Sequence, residues 1–139
     1  VKLYARLWEN QTNEVGLQLV FYNALYNWFQ NSPQIQLVLR EEAADYLLTG
    51  EIIAINEGLT RGTVMLTVGY AYLDQVQNKA VWLVPSQTFS ESFFVSNDAT
   101  RTQGNKRDAL EEMADDLAES IYMRILHSAR NRQPAPAAE

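Results

Sequence analysis

Apolar and polar residues alternate from Lys2 to Trp8, with Leu3, Ala5 and Leu7 on one side, and the alternation ends at Glu9-Asn10-Gln11-Thr12-Asn13, a run of turn and cap formers. This predicts a strand that leads into a helix. From Glu14 to Asn31 the apolar residues Leu17, Val20, Phe21, Ala24, Leu25 and Trp28 recur three and four apart, the spacing of an amphipathic helix, and Ser32-Pro33 stops it. Ile35 to Arg40 and Tyr46 to Asn56 read as the second and third strands, with polar Glu41 to Asp45 between them. Gly58 and Gly62 bracket a reversal into a fourth strand whose Val64, Leu66, Val68, Tyr70 and Tyr72 share one face. Gln75 to Asn78 turns the chain into a fifth strand, Ala80 to Val95, where Pro85 calls for an edge position or a bulge and a bend. Ser96 to Asn105 reads as a polar loop. From Lys106 onward, Leu110, Met113, Leu117, Ile121 and Ile125 mark one face of a long second helix. The order β-α-β-β-β-β-α predicts an α+β, two-layer sandwich: a mixed four- to five-stranded sheet with both helices packed on one face and one right-handed crossover.

At 139 residues and 47% hydrophobic content, the chain has material for one core, and residues 1–131 are expected to form a single domain. Residues 132–139, rich in Pro and Ala, cannot pack a core and read as a disordered tail. A formal charge of −6 argues against a nucleic-acid surface, which needs clustered Lys and Arg. With no cysteine there is neither a disulfide framework nor a thiolate metal site. The longest apolar runs, such as Val64 to Leu73, fall far short of the roughly 20 residues that span a bilayer. The chain starts at Val1 and enters a strand at once, which suggests that an upstream segment has been removed.

Candidate chemistry is sparse. The single histidine, His127, lies off the apolar stripe of the second helix and has no Cys or second His to complete a zinc or nucleophile constellation. The acids of that helix, including Glu111, Asp115 and Glu119, repeat at helical spacing and read as a solvated face. No Walker loop, nucleophile elbow or glycine-rich phosphate turn is present, and no metal, cofactor or catalytic residue is expected. Asn10-Gln11-Thr12 matches a glycosylation acceptor but fits helix capping better.

Two groups of residues invite a binding role. Leu19, Tyr22 and Tyr26 form a second apolar flank on the first helix, and Phe94 points away from Phe89 and Phe93 on the fifth strand. Each set reads either as half-buried side chains beside a broad core or as a partner surface. A meander of the third to fifth strands also brings Arg61, Arg101, Lys106 and Arg107 to one end of the fold. These are either solvated loop tips or a local cationic rim able to meet phosphates.

Three stretches together resemble the lipopolysaccharide-assembly lipoproteins of the LptE type. They are Trp8-Glu9-Asn10-Gln11-Thr12 at the end of the first strand, Ala44-Asp45-Tyr46-Leu47-Leu48-Thr49-Gly50-Glu51-Ile52, and Lys106 to Leu110 leading to Ala114-Asp115-Asp116-Leu117-Ala118 and Ile121. With Trp82 after the hairpin they cover nearly the whole chain in order. The resemblance implies a lipidated N-terminal cysteine, residence on the periplasmic face of the outer membrane, and a place inside a large β-barrel partner of the LptD type as its plug. It implies a part in lipopolysaccharide delivery, possible direct lipopolysaccharide contact, and no enzymatic activity. Peptidoglycan-synthase activators and curli-secretion lipoproteins share the opening strand and turn, and they are the alternative class.

Overall fold

The computed structural model describes residues 1–57 and 62–132, with side chains described as far as residue 129. Its elements are β1 (Lys2–Ala5), β2 (Glu9–Asn10), α1 (Leu17–Phe29), β3 (Gln36–Leu37), a single 3-10 turn (Glu41–Ala43), β4 (Tyr46–Glu57), β5 (Thr63–Asp74), β6 (Lys79–Ser92) and α2 (Ala99–Arg132). The sheet runs β3-β1-β4-β5-β6, with β2 paired to the far half of β4. β1 is parallel to β3 and β4, whereas β4, β5 and β6 form an antiparallel meander. The expected mixed sheet with two helices is therefore present. Its shortest members, β2 and β3, have two residues each.

One apolar cluster joins both helices to the same face of the sheet. Leu3, Leu48, Ile52, Leu66, Val68 and Tyr72 meet Leu17, Phe21, Leu25 and Phe29 of α1 and Leu110, Leu117, Ile121 and Ile125 of α2. The five apolar positions expected on one face of β5 are all buried, as are the five expected on α2. Strand alternation and helical spacing both show in the buried positions, except where the middle of the sheet is covered on both sides, as at Leu47 and Leu48 of β4 and Tyr70 to Tyr72 of β5.

The expected bend at Pro85 is present and has a visible cause. The β5–β6 register slips between Val68 and Tyr70 and again between Tyr72 and Leu73, so β6 carries an extra residue at each place. At the first slip Gly69 faces Pro85 so closely that a Cβ on residue 69 would lie 2.6 Å from the Pro85 carbonyl oxygen. β6 is an edge strand, where the missing N–H of proline costs no ladder bond.

The polar stretch expected to be a loop up to Asn105 is helical from Ala99. Asp98 Oδ1 accepts from Thr100 N at 2.9 Å, satisfying one free N–H of the first turn, and Thr102 Oγ1 accepts from Ser96 N at 2.9 Å, holding the incoming chain against that turn. The first buried residue of α2 is Ala109, which leaves the segment before it projecting past the core. Of the tail expected over residues 132–139, Arg132 is the last residue of α2, and residues 133–139 lie outside the described residues.

Candidate interaction surfaces

Trp8 organises the centre of the fold. Its ring is 3% exposed and stacks on Phe21 at 5.3 Å and on Tyr70 at 6.0 Å between centroids. Tyr70 meets Trp82 edge-on at 5.7 Å, and Trp82 stacks on Tyr72, which stacks on Tyr46. The Arg124 guanidinium closes the row 4.5 Å above Trp82, a cation–π contact. The indole N–H groups of Trp8 and Trp82 find no acceptor among the described residues, a cost of about 1–3 kcal/mol each that the burial of the rings must outweigh. Burial raises the Tyr70 phenol above its ordinary value of 10.0, Arg124 pulling the other way, and its hydroxyl donates to Gln87 at 2.6 Å.

The turn after Trp8 is built by its own side chains. Asn10 Oδ1 accepts from Thr12 N and Oγ1, while Asn10 Nδ2 donates to the Glu14 carbonyl and to Gln18 Oε1. These bonds aim the chain into α1, although the residue at the cap itself is Gly16, in the left-handed region at φ 79°. Asn10 is thus committed to holding the turn.

Lys106 lies at the end where β4 stops, and the fold treats the described basic candidates unequally. Lys106 is 16% exposed at its side chain and lies 4.0 Å from Glu57 Oε1. Arg107 reaches Glu14 Oε2 at 3.2 Å and donates to the Val15 carbonyl at 3.3 Å, tying α2 to the start of α1. Arg101 is exposed on the first turn of α2, and Arg61 lies outside the described residues. Lys106 and Arg107 thus already face carboxylates. Sequence reasoning missed these two pairs because each joins residues far apart in the chain.

The aromatic flank of α1 lies on the β1–β3 side. Tyr22 and Tyr26 stack at 6.4 Å, with Leu19 exposed one turn before. Opposite them stand Leu37, Val38 and Leu39, and together with Tyr4 and Ala5 they enclose a cleft of about 120 Å³. Phe94 is 74% exposed but follows β6, across the sheet, so the four candidate partner residues belong to two surfaces. Phe89 and Phe93 pack on the core, as their shared face suggested. The Leu37–Leu39 wall went unnoticed in the sequence, although Ile35, Leu37 and Leu39 alternate with polar or smaller residues and mark a strand with one apolar side.

Among the described residues no group of three or more His, Asp or Glu could hold a metal ion, and no helix is long and apolar enough to cross a membrane. His127 is exposed on α2.

A mixed sheet carrying two helices on one face, with the chain order found here, is the architecture of several bacterial proteins of known structure. The hypothetical protein CT253 from Chlamydia trachomatis superposes with a TM-score of 0.65 at 15% identity, over 89% of this chain and 94% of its own. A putative lipoprotein from Caulobacter crescentus CB15 gives 0.61 at 15% identity, over 92% and 93%. Protein XCC0632 from Xanthomonas campestris gives 0.65 at 13% identity, over 94% and 90%. At such identities the likeness shows the fold. No curated protein matches the sequence. The family is shown by the lipopolysaccharide-assembly model, LptE, which matches residues 1–125, and the chain belongs to that family. It is a family of non-enzymatic lipopolysaccharide-assembly lipoproteins of the cell envelope.

Proposed function

We propose that the domain serves lipopolysaccharide transport to the outer-membrane surface as plug and assembly partner of an LptD-type β-barrel. In this reading it is held on the periplasmic face of the outer membrane by an N-terminal lipid and catalyses no reaction. The observation that carries the reading is the family match over residues 1–125, which takes in every strand and most of α2. The apolar side chains left on the surface support it. Leu19, Tyr26 and Leu39 are exposed, the last two lining one cleft, and apolar exposure that is contiguous marks contact with another protein; Leu83 and Phe94 are exposed on the β6 side. Leu19, Tyr22, Tyr26 and Phe94 are accordingly assigned to the barrel.

Direct lipopolysaccharide contact is assigned to the basic end, within an acidic protein whose charge otherwise repels phosphate. Arg101 and Arg61 carry this contact more than Lys106 and Arg107, whose charges already face Glu57 and Glu14. The test is co-purification of the full-length lipoprotein with outer-membrane proteins in mild detergent. A large β-barrel should come with it, and recovery with none overturns the proposal. Reversing the charge of Arg61 and Arg101 together should weaken binding to lipopolysaccharide micelles, and unchanged binding would remove the basic end from the account.

A further inference from the structure

Between the last turn of α1 and the middle of α2 lies a cleft of about 410 Å³, lined by Asn27, Trp28, Asn31, Asp115 and Tyr122. Its volume falls within the roughly 300–1,000 Å³ of small-molecule pockets. The aromatic walls are fixed in place. Trp28 Nε1 donates to Asp115 Oδ1 at 3.1 Å, which sets the orientation of the indole, and the Tyr122 ring stands 5.6 Å from it at 38°. Phe29, fully buried, supports Tyr122 from the core at 6.1 Å. Trp28 and Tyr122 are themselves only partly buried, so each keeps ring surface at the cleft.

The polar groups around these rings are left open. Asp115 gives one oxygen to the indole, while the amides of Asn27 and Asn31 and the Tyr122 hydroxyl make no hydrogen bond among the described residues. The set offers donors and acceptors together: a carboxylate that accepts, and two amides and a phenol that do both. Each class of ligand would use it differently. A phosphate would face Asp115 within the acidic row Glu111, Asp115 and Glu119. A cation would pair with Asp115 and leave the amide donors unused. An aliphatic side chain would cover the rings and strip water from the amides without replacing its bonds. A sugar ring uses everything present, because its C–H face stacks on an aromatic ring and each hydroxyl both donates and accepts.

We infer that the α1–α2 cleft binds a neutral pyranose ring, stacked on Trp28 and hydrogen-bonded by Asn27, Asn31 and Asp115. The site is separate from the residues assigned to phosphate contact, since Asp115 lies roughly 20 Å along α2 from Arg101. It does not depend on the barrel reading, whose test is co-purification, so either can fail alone. Two glycans of the cell envelope present such rings: the oligosaccharide of lipopolysaccharide and the glycan strand of the cell wall.

The test titrates the isotope-labelled full chain with two probes, lipopolysaccharide core oligosaccharide freed of lipid and phosphate, and chitotetraose. The readout is the indole N–H resonance of Trp28, assigned by its loss in Trp28→Phe, with the buried indole N–H groups of Trp8 and Trp82 as internal references. A saturable shift of the Trp28 signal alone, with either probe or both, is the expected result, and the probe that acts tells the two glycans apart. Replacing both exposed amides, Asn27→Ala with Asn31→Ala, should weaken that binding about tenfold, the loss of one or two hydrogen bonds, with Tm unchanged. Asp115→Ala should weaken it as well. The inference is overturned if neither probe moves the Trp28 signal, if glycerol at equal hydroxyl concentration moves it as far, or if the double variant binds as tightly as the unmodified protein.

Discussion

The two helices lie side by side on one face of the sheet and are held there by opposite means. α1 has 13 residues, none of them charged, and its N-terminus has no side-chain cap. Helices this short are marginal on their own, so α1 owes its form to burial of Leu17, Phe21, Ala24, Leu25 and Phe29 and to the stack of Phe21 on Trp8. α2 has 34 residues, and no residue before Ala109 belongs to the core. There the helix rests on local terms: the Asp98 cap, the bond from Ser96 N to Thr102 Oγ1, then the charges of its exposed face. Arg107, reaching Glu14 and Val15, is where the locally built helix fastens the one built by packing.

The difference predicts unequal responses to mutation. Phe21→Ala should cost about 3–5 kcal/mol in urea unfolding, since it removes a fully buried ring from the centre of α1's contacts. Gly50→Ala should cost about 1–3 kcal/mol by the same measurement, because its Cβ would overlap the Trp8 ring, which Phe21 and Tyr70 hold on both sides. In the projecting part of α2 the sign reverses. Gly104 has open space around its Cβ position, so Gly104→Ala should stabilise by about 0.5–1 kcal/mol, read as a rise in Tm. A loss there instead would show that the segment packs on something.

The smallest effect expected is a dependence on alkaline pH. The unfolded chain releases the Tyr70 proton near 10.0, and the folded chain releases it later because the phenol is buried. Between those two points the unfolded state holds fewer protons, so stability is full below pH 10 and falls as pH rises through the folded value. Tyr70→Phe should flatten that alkaline slope in pH-dependent unfolding, and an unchanged slope would place its origin elsewhere.

Much of the fold was legible because most elements bury one side and show it as periodicity. Val64 to Tyr72 alternated, Leu110 to Ile125 recurred at helical spacing, and Pro85 announced its bulge. What escaped carried no such signal. β2 is only two residues long and exists because β4 lies beside it, and the start of α2 is polar throughout with Gly104 inside it, so only its cap spoke for a helix. In the sequence the basic residues could be grouped only through the meander, traced from its turns. That Lys106 would face Glu57 and Arg107 would face Glu14 depends on the rotation of α2 about its axis, which no local pattern records.

Trp8 lies against Gly50, Glu9 and Asn10 pair with Glu51 and Ile52, and Gln11 Nε2 donates to Glu51 Oε2 at 2.9 Å. Two of the stretches that resemble the family, about forty residues apart in the chain, are therefore the two halves of one contact. Substitutions across them should be correlated: a relative with a small residue in place of Trp8 is released from the need for glycine at position 50, and one that keeps the indole is not. Counted as a pair rather than as separate motifs, these positions offer a covariation signature by which distant relatives can be recognised when either stretch alone has drifted too far.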